Sequence, residues 1–181
     1  MFSVRVAKVA DAKKIALIHV DAWRLTYRGQ VLDDGQDPQS IEQRESFWRQ
    51  RLMQGNGWVF IVESDDVVGF CHLVPSRDKD ADSKVINEIA AHYVVSDHSR
   101  LGAGKALSYH VLARVQKQGI QALTVWIPAS NRNAMGFYES LGFARDGAVK
   151  IGSAPDGSNL HVIRYRIKFN RAGQAAEAPT S

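Results

Sequence analysis

Apolar and polar positions change their spacing several times along the chain, and each change marks an element. Phe2, Val4 and Val6 alternate with Ser3, Arg5 and Ala7, the period of two expected of a half-buried strand. From Asp11, read as a helix cap, the period lengthens. Ile15, Ile18, Ala22 and Leu25 fall at helical spacing and predict a first helix to about Tyr27, stopped by Gly29. Residues 31–38 are polar and loop-like. Ile41, Phe47, Trp48 and Leu52 then share one side of a second helix over Ser40–Met53. Trp58–Glu63 and Val67–Val74 read as strands joined by Ser64-Asp65-Asp66, a hairpin signal. A charged loop over Ser76–Ser83 leads into a long strand, Val85–Val95.

The second half alternates helix and strand. Ala103, Leu107, Val111 and Val115 form the apolar stripe of a helix over Gly102–Lys117, with Gly119 as its C-terminal stop. Leu123–Ile127 is a short apolar strand ended by Pro128. Asn131–Ser140 is a helix closed by Gly142, and Phe143–Ile151 and Leu160–Phe169 are strands around a turn rich in Gly, Pro and Asp. The pattern predicts one mixed α/β domain over residues 1–169: a mostly antiparallel central sheet of about seven strands flanked by about four helices. Its parallel step, from 85–95 to 122–127, needs a crossover helix, and one is present. The small polar tail, 170–181, is expected to be disordered.

Bulk properties narrow the function classes. The chain has 181 residues, 45% hydrophobic and 23% charged, which suits a packed core. No apolar run approaches a membrane span, and the N-terminal residues lack the apolar region of a signal peptide, so a cytoplasmic location is expected. Cys71 is the single cysteine, which rules out an internal disulfide and a cysteine-held metal. It lies in a strand pattern and reads as a buried, inert thiol. The net charge of +4 comes from scattered residues with no nucleic-acid motif, and an anionic ligand explains it as well.

Two runs carry chemistry. In Ser99–Leu107, SRLGAGKAL, the glycines Gly102 and Gly104 stand between a strand and a helix start, flanked by Arg100 and Lys105. Glycines admit close backbone approach, and a helix start offers unpaired N–H donors to an oxyanion. A pyrophosphate fits such a turn, although the same run also suits a plain strand-to-helix turn. Leu107 replaces the third glycine of a dinucleotide fold, and Ala106 replaces the Ser or Thr of a Walker loop. In the second run, Asn131–Phe143, Asn131 and Tyr138 lie two helical turns apart and address one face. Pro128 gives no ladder N–H, so strands 85–95 and 122–127 are expected to part there and to expose main-chain groups to an amide-bearing ligand arm.

At HYVVSDHSRLGAGKAL and VWIPASNRNAMGFYESLGF the chain resembles GNAT-superfamily N-acetyltransferases, and IHVDAWRLTYRG resembles the bacterial branch that includes phosphinothricin-type acetyltransferases. The resemblance covers about Val4–Lys168 and implies acetyl-CoA as the acyl donor. It implies that Arg100, Leu101, Gly102, Ala103, Gly104 and Lys105 bind the pyrophosphate. It also implies that His92, Tyr93 and Val94 hold the pantetheine arm, with the Val94 N–H on the thioester carbonyl. By the same likeness Asn131 bonds the cofactor and Tyr138 protonates the leaving thiolate. Ser99 stands where the family usually has Gln or Arg, which removes a side-chain contact that Arg100 offsets in part.

The acceptor would be a primary amine of a small molecule or peptide, attacking directly in a ternary complex. Glu88 is the leading general-base candidate, because residues 88, 90, 92 and 94 of a regular strand share a face. His92 and Glu63 are further candidates. Trp23, Arg24 and Tyr27, at the end of the first helix, are candidates to wall the acceptor side. Arg164, Arg166 and Lys168 read as a solvated strand face. A non-catalytic acyl-CoA-binding module and a nucleotide-binding regulator stay open on the residues alone. A homodimer is common among proteins of this kind, but the sequence carries no mark of one.

Overall fold

Two interleaved apolar sets on each inner strand require cover on both faces of the sheet, and the fold supplies it. In β2 (Trp58–Glu63), Phe60 and Val62 face one layer, whereas Val59 and Ile61 face the other; all four are buried. The computed structural model describes residues 1–26, 40–55, 57–98, 100–153 and 159–169. Among these, the remaining elements are β1 (Ser3–Val6), α1 (Ala12–Thr26), α2 (Ile41–Gln54), β3 (Val67–Pro75), β4 (Ile86–Val94), α3 (Ala103–Lys117), β5 (Ala122–Pro128), α4 (Arg132–Ser140), β6 (Ala144–Ser153) and β7 (Asn159–Lys168). The sheet runs β1-β2-β3-β4-β5-β7-β6, with β4–β5 its parallel pair. Each predicted element exists, with ends moved by a few residues. The tail 170–181 lies outside the described residues.

The larger core packs α3 and α4 on one face: Leu107, Val111 and Val115 of α3 and Met135 of α4 meet Leu73, Ile89 and Leu123. The smaller core packs Ile15 and Ile18 of α1 and Trp48 of α2 on Ile61 and Phe70. Local chemistry sets the helix starts. Ser40 and Gln43 exchange side-chain and main-chain hydrogen bonds (3.1 and 3.2 Å) at the start of α2. Asp11 does not cap α1 directly. It ends a single 3-10 turn, where its carboxylate accepts from the Lys8 N–H (2.6 Å) and from both terminal nitrogens of Arg5 (2.8 and 3.0 Å).

On the second face of the sheet the 76–84 loop lies against Trp126 of β5 and Arg164 of β7. Here Arg164 corrects the expectation of a solvated strand face. It is 4% exposed and donates to Asp78 (3.0 Å), Asp80 (2.6 Å) and Asp146 (2.7 Å).

β4 is irregular at one point. Leu73 pairs with Ile89 and His72 with Ala91, so Ala90 is an extra residue, a β-bulge. The bulge exchanges the faces of the residues beyond it. Ile89 and His92 both sit on the α3–α4 face, opposite Leu73 and Cys71, whereas Tyr93 sits on the α1–α2 face beside Phe70. The expectation that 88, 90, 92 and 94 share a face is therefore corrected: Glu88 lies on the face opposite His92.

Candidate active site

Pairing between β4 and β5 runs from Ile86–Ala122 to Ile89–Val125 and stops, although both strands continue. The parting coincides with the Ala90 bulge and begins three residues before Pro128. Proline therefore does not start it. A bulge bends and twists its strand, which turns the end of β4 away from β5.

The alternation of antiparallel ladders shows which groups the parting frees. The Val95 N–H donates to the Val68 carbonyl (2.9 Å), so Tyr93 and Ala91 turn their main-chain groups to β3, and Val94 and His92 turn theirs toward β5. On the other wall the Ala129 N–H donates to the His161 carbonyl (2.8 Å). Ile127 and Val125 consequently face β7, and Trp126 faces β4. Main-chain groups of His92 and Trp126 thus border a cleft of about 200 Å³, lined by residues 89–93, 125–128 and Asn131, Ala134 and Tyr138 of α4, and Val94 follows directly on that lining. A main-chain polar group left without a partner costs about 1–3 kcal/mol when buried, so these edges suit an amide-bearing ligand that restores the bonds. Tyr93 lines the same cleft, but its main chain belongs to the β3 ladder and its ring stacks on His19 at 5.3 Å.

At the mouth of α3, Gly102 has φ +97° and precedes the first helical residue, Ala103. That left-handed backbone, rather than crowding, calls for glycine: a Cβ there would meet nothing within 4 Å. The first turn of α3 leaves the N–H groups of Ala103, Gly104 and Lys105 without helical acceptors. The Leu101 N–H is engaged by the His98 carbonyl (3.3 Å). Arg100, Leu101 and Lys105 are exposed beside the turn. Gly104 brings α3 close to the cleft wall, since a Cβ would lie 3.5 Å from the Phe137 ring and 3.7 Å from Val94. The start of α3, with its unpaired N–H groups, and the end of β4 are therefore neighbours, an arrangement that could receive a diphosphate joined to an amide-bearing arm. Asn131 lines the cleft, but its side-chain oxygen caps α4 by accepting from the Ala134 N–H (3.0 Å), which leaves its amide NH₂ for a ligand. Ser99 is outside the described residues.

Tyr138 is 6% exposed and lines the cleft, with its hydroxyl 3.2 Å from His92 Nδ1. Burial raises the phenol well above its ordinary range. Burial also lowers the His92 imidazole to about 4, so it is neutral at pH 7. The Cys71 thiol, 2% exposed, is pushed up to about 12 by burial, which makes it a poor nucleophile.

Glu88, one residue before the last β4–β5 pair, is 4% exposed and held by Arg77 through both oxygens, with Arg77 Nε donating to Oε2 at 3.2 Å. Sequence reasoning missed this pair, because only the fold brings Arg77 back over β4. Glu63 is bound by Arg5 (2.7 Å) at the β1 end of the sheet, away from the cleft. Arg24 is exposed in the last turn of α1. Tyr27 and the side chain of Trp23 lie outside the described residues.

Comparison with known proteins gives concordant matches. The profile described as the acetyltransferase (GNAT) family matches residues 20–143. The uncharacterized N-acetyltransferase YuaI of Bacillus subtilis (strain 168) is 30% identical over 142 residues, 77% of this chain and 79% of that protein. The structure of yncA from Salmonella typhimurium, solved with its cofactor acetyl-CoA, superposes with a TM-score of 0.72 at 20% identity, over 97% of this chain and 99% of that one. A protein assigned as a phosphinothricin N-acetyltransferase gives a TM-score of 0.72 at 16% identity, over 94% and 100% of the two chains.

Proposed function

This chain belongs to the acetyltransferase (GNAT) family and is an acetyl-CoA-dependent acyltransferase, and from that premise we propose direct transfer of the acetyl group to a primary amine of a small molecule or peptide in a ternary complex. The observation that carries the reading is the parted β4–β5 pair, with its free main-chain edges beside the anion-binding turn at α3. Residues 100–105 hold the diphosphate. His92, Val94 and Trp126 bond the amides of the arm, and the Asn131 amide adds a contact at α4.

Acetyl-CoA, when bound, supplies an acetyl thioester. The Val94 N–H, turned away from β3, polarises the thioester carbonyl and accepts the charge that develops there. An alkylamine has a pKa of about 10.4 and arrives mostly protonated. Glu88 takes that proton from the face opposite Tyr138, once the incoming cation displaces the two-thirds-exposed side chain of Arg77 (68%). Tyr138 protonates the departing thiolate. The transfer is uphill, because a thiol of pKa about 8.5 is a stronger acid than a phenol of about 10 and burial weakens Tyr138 as an acid further, so placement of the proton and stabilisation of the phenolate matter more than acidity. Burial of Cys71 and its raised pKa support direct attack over an acyl-enzyme.

The test is a panel of amines, including amino acids and peptides, with acetyl-CoA and release of free coenzyme A as the signal. Intersecting initial-velocity lines are expected. Parallel lines with acetyl label retained on the protein would overturn direct transfer, and no turnover with any amine would overturn the acceptor class.

A further inference from the structure

The cleft holds a histidine whose hydrogen bonding is half complete. His92 Nδ1 stands 3.2 Å from the Tyr138 hydroxyl, and the other ring nitrogen, Nε2, is buried without a partner. The ring is wedged between Phe137 (centroids 5.5 Å) and Tyr138 (6.1 Å). The cavity beside it measures about 10 Å³ and is lined chiefly by apolar groups such as Ile89, Leu123, Leu141 and Phe143. That is at the lower limit for one water, and Ser108 and Cys71 are the polar side chains that line it besides His92 and Tyr138.

A neutral imidazole carries one proton on either nitrogen, and the two tautomers do opposite things to Tyr138. With the proton on Nε2, a buried N–H lacks an acceptor, and Nδ1 takes the phenol proton as a hydrogen-bond acceptor. The hydroxyl is then turned inward, away from a thioester. With the proton on Nδ1, that N–H donates to the phenol oxygen, the hydroxyl hydrogen is free to point into the cleft, and only a lone pair is left unmatched at Nε2. A buried N–H without an acceptor is the rarer and costlier defect.

We propose that His92 is the positioning residue for Tyr138, its Nδ1–H donating to the phenol oxygen so that the hydroxyl proton faces the leaving thiolate. This rests on the acetyl-transfer reading above and adds a residue to it. In the step itself, the acetyl carbon–nitrogen bond forms and the carbon–sulfur bond breaks with its electron pair on sulfur. The Tyr138 O–H proton passes to that sulfur, and the Nδ1–H of His92 stabilises the phenolate left behind. The phenolate regains a proton from the one released by the amine, through solvent in the cleft. The low basicity that burial gives the ring keeps it neutral.

The test has two parts. First, long-range ¹H–¹⁵N spectra of the wild-type protein, with the His92 signals assigned by their loss in His92→Asn, report the tautomer without any substrate. The Nδ1–H form is expected at pH 7, and the Nε2–H form would overturn the proposal. Second, His92→Leu, His92→Asn, Tyr138→Phe and the double variant His92→Leu/Tyr138→Phe are compared in turnover. His92→Leu is expected to lower kcat about 10- to 100-fold with an unchanged KM for acetyl-CoA, and Asn, which places an N–H near the Nδ1 position, to recover most of it. In the Tyr138→Phe background the same Leu change is expected to cost under about twofold. An equal cost in both backgrounds means a structural role only and overturns the proposal while the acetyl-transfer reading stands. A Tyr138→Phe enzyme as fast as wild type removes Tyr138 from the reading itself, and this inference with it.

Discussion

Two buried polar clusters lie on opposite faces of the sheet, and they are built differently. On the α1–α2 side of the sheet, under the 76–84 loop, Arg164 donates to Asp78, Asp80 and Asp146, and Trp126 Nε1 donates to Asp78 (3.1 Å). Lys150 lies 3.8 Å over the Trp126 ring, and Arg166 stands 2.9 Å from Asp146 as an ion pair without hydrogen-bond alignment. Three carboxylates are balanced by three cations. On the α3–α4 side, His92 and Tyr138 are neutral, share one contact and leave a nitrogen unmatched. Balanced charge fixes a loop onto a sheet. Neutral groups buried with a valence to spare are placed to give and receive protons. The contrast teaches that balanced charge, rather than burial alone, separates the architectural cluster from the reactive one.

Variants can break this comparison. The largest effect is expected at Tyr138, where Tyr138→Phe should lower kcat about 10²- to 10⁴-fold while the thermal unfolding midpoint moves little; a rate within twofold of wild type would remove the distinction on the reactive side. Next is Arg164→Met, which removes the cation that Asp78, Asp80 and Asp146 share. Losing one partner of a buried charge cluster costs about 3–5 kcal/mol, against which the new methionine recovers little. Urea unfolding should show this loss, with the folded fraction keeping its KM for acetyl-CoA. A stability unchanged within 1 kcal/mol would show the cluster to be dispensable.

A smaller effect is expected for Gly102→Val. The left-handed backbone at φ +97° costs a side chain about 1–2 kcal/mol, so calorimetry should show coenzyme A binding weakened about tenfold or more. Undiminished affinity would detach the turn from the site.

Acid should sharpen the contrast further. Burial lowers His19 and His92 to about 4 from an unfolded value of about 6.5, and His19 Nδ1 accepts from Trp48 Nε1 (3.2 Å) as a neutral ring. Between those values the unfolded chain binds more protons, so stability falls as pH drops from about 6.5 toward 4, by at most about 1.4 kcal/mol per pH unit per histidine. Asp80, held down to about 2 by the Arg164 hydrogen bond, behaves in the same sense but in a lower pH window. Its contribution is present above the unfolded carboxylate value and is lost only as pH falls toward 2. The histidine step should therefore precede the carboxylate step in an acid titration followed by unfolding. His19→Gln, which keeps an acceptor for Trp48, should remove part of the first step alone.

Much of this was legible in the chain. Period-two runs gave the strands, and the 3.6-residue stripe of Ala103, Leu107, Val111 and Val115 gave α3. The local run around Tyr138 marked one wall of the cleft, and the run around Gly102 marked the start of α3, because both signals are local. What failed was non-local or carried no side-chain signal. The Ala90 bulge has neither glycine nor proline to announce it, so regular alternation put Glu88 on the face of His92. Arg164 looked solvated because two of its partners, Asp78 and Asp80, come from a loop more than eighty residues away. Pro128 was credited with a parting that the bulge begins earlier, at Val125.

That inserted alanine has a larger effect than its size suggests. It works as a half-turn in a ribbon, so that one strand shows a carboxylate to one side of a hole and an imidazole to the other. On the proposed chemistry the proton of the amine and the proton for the spent carrier are therefore handled on opposite sides of one strand.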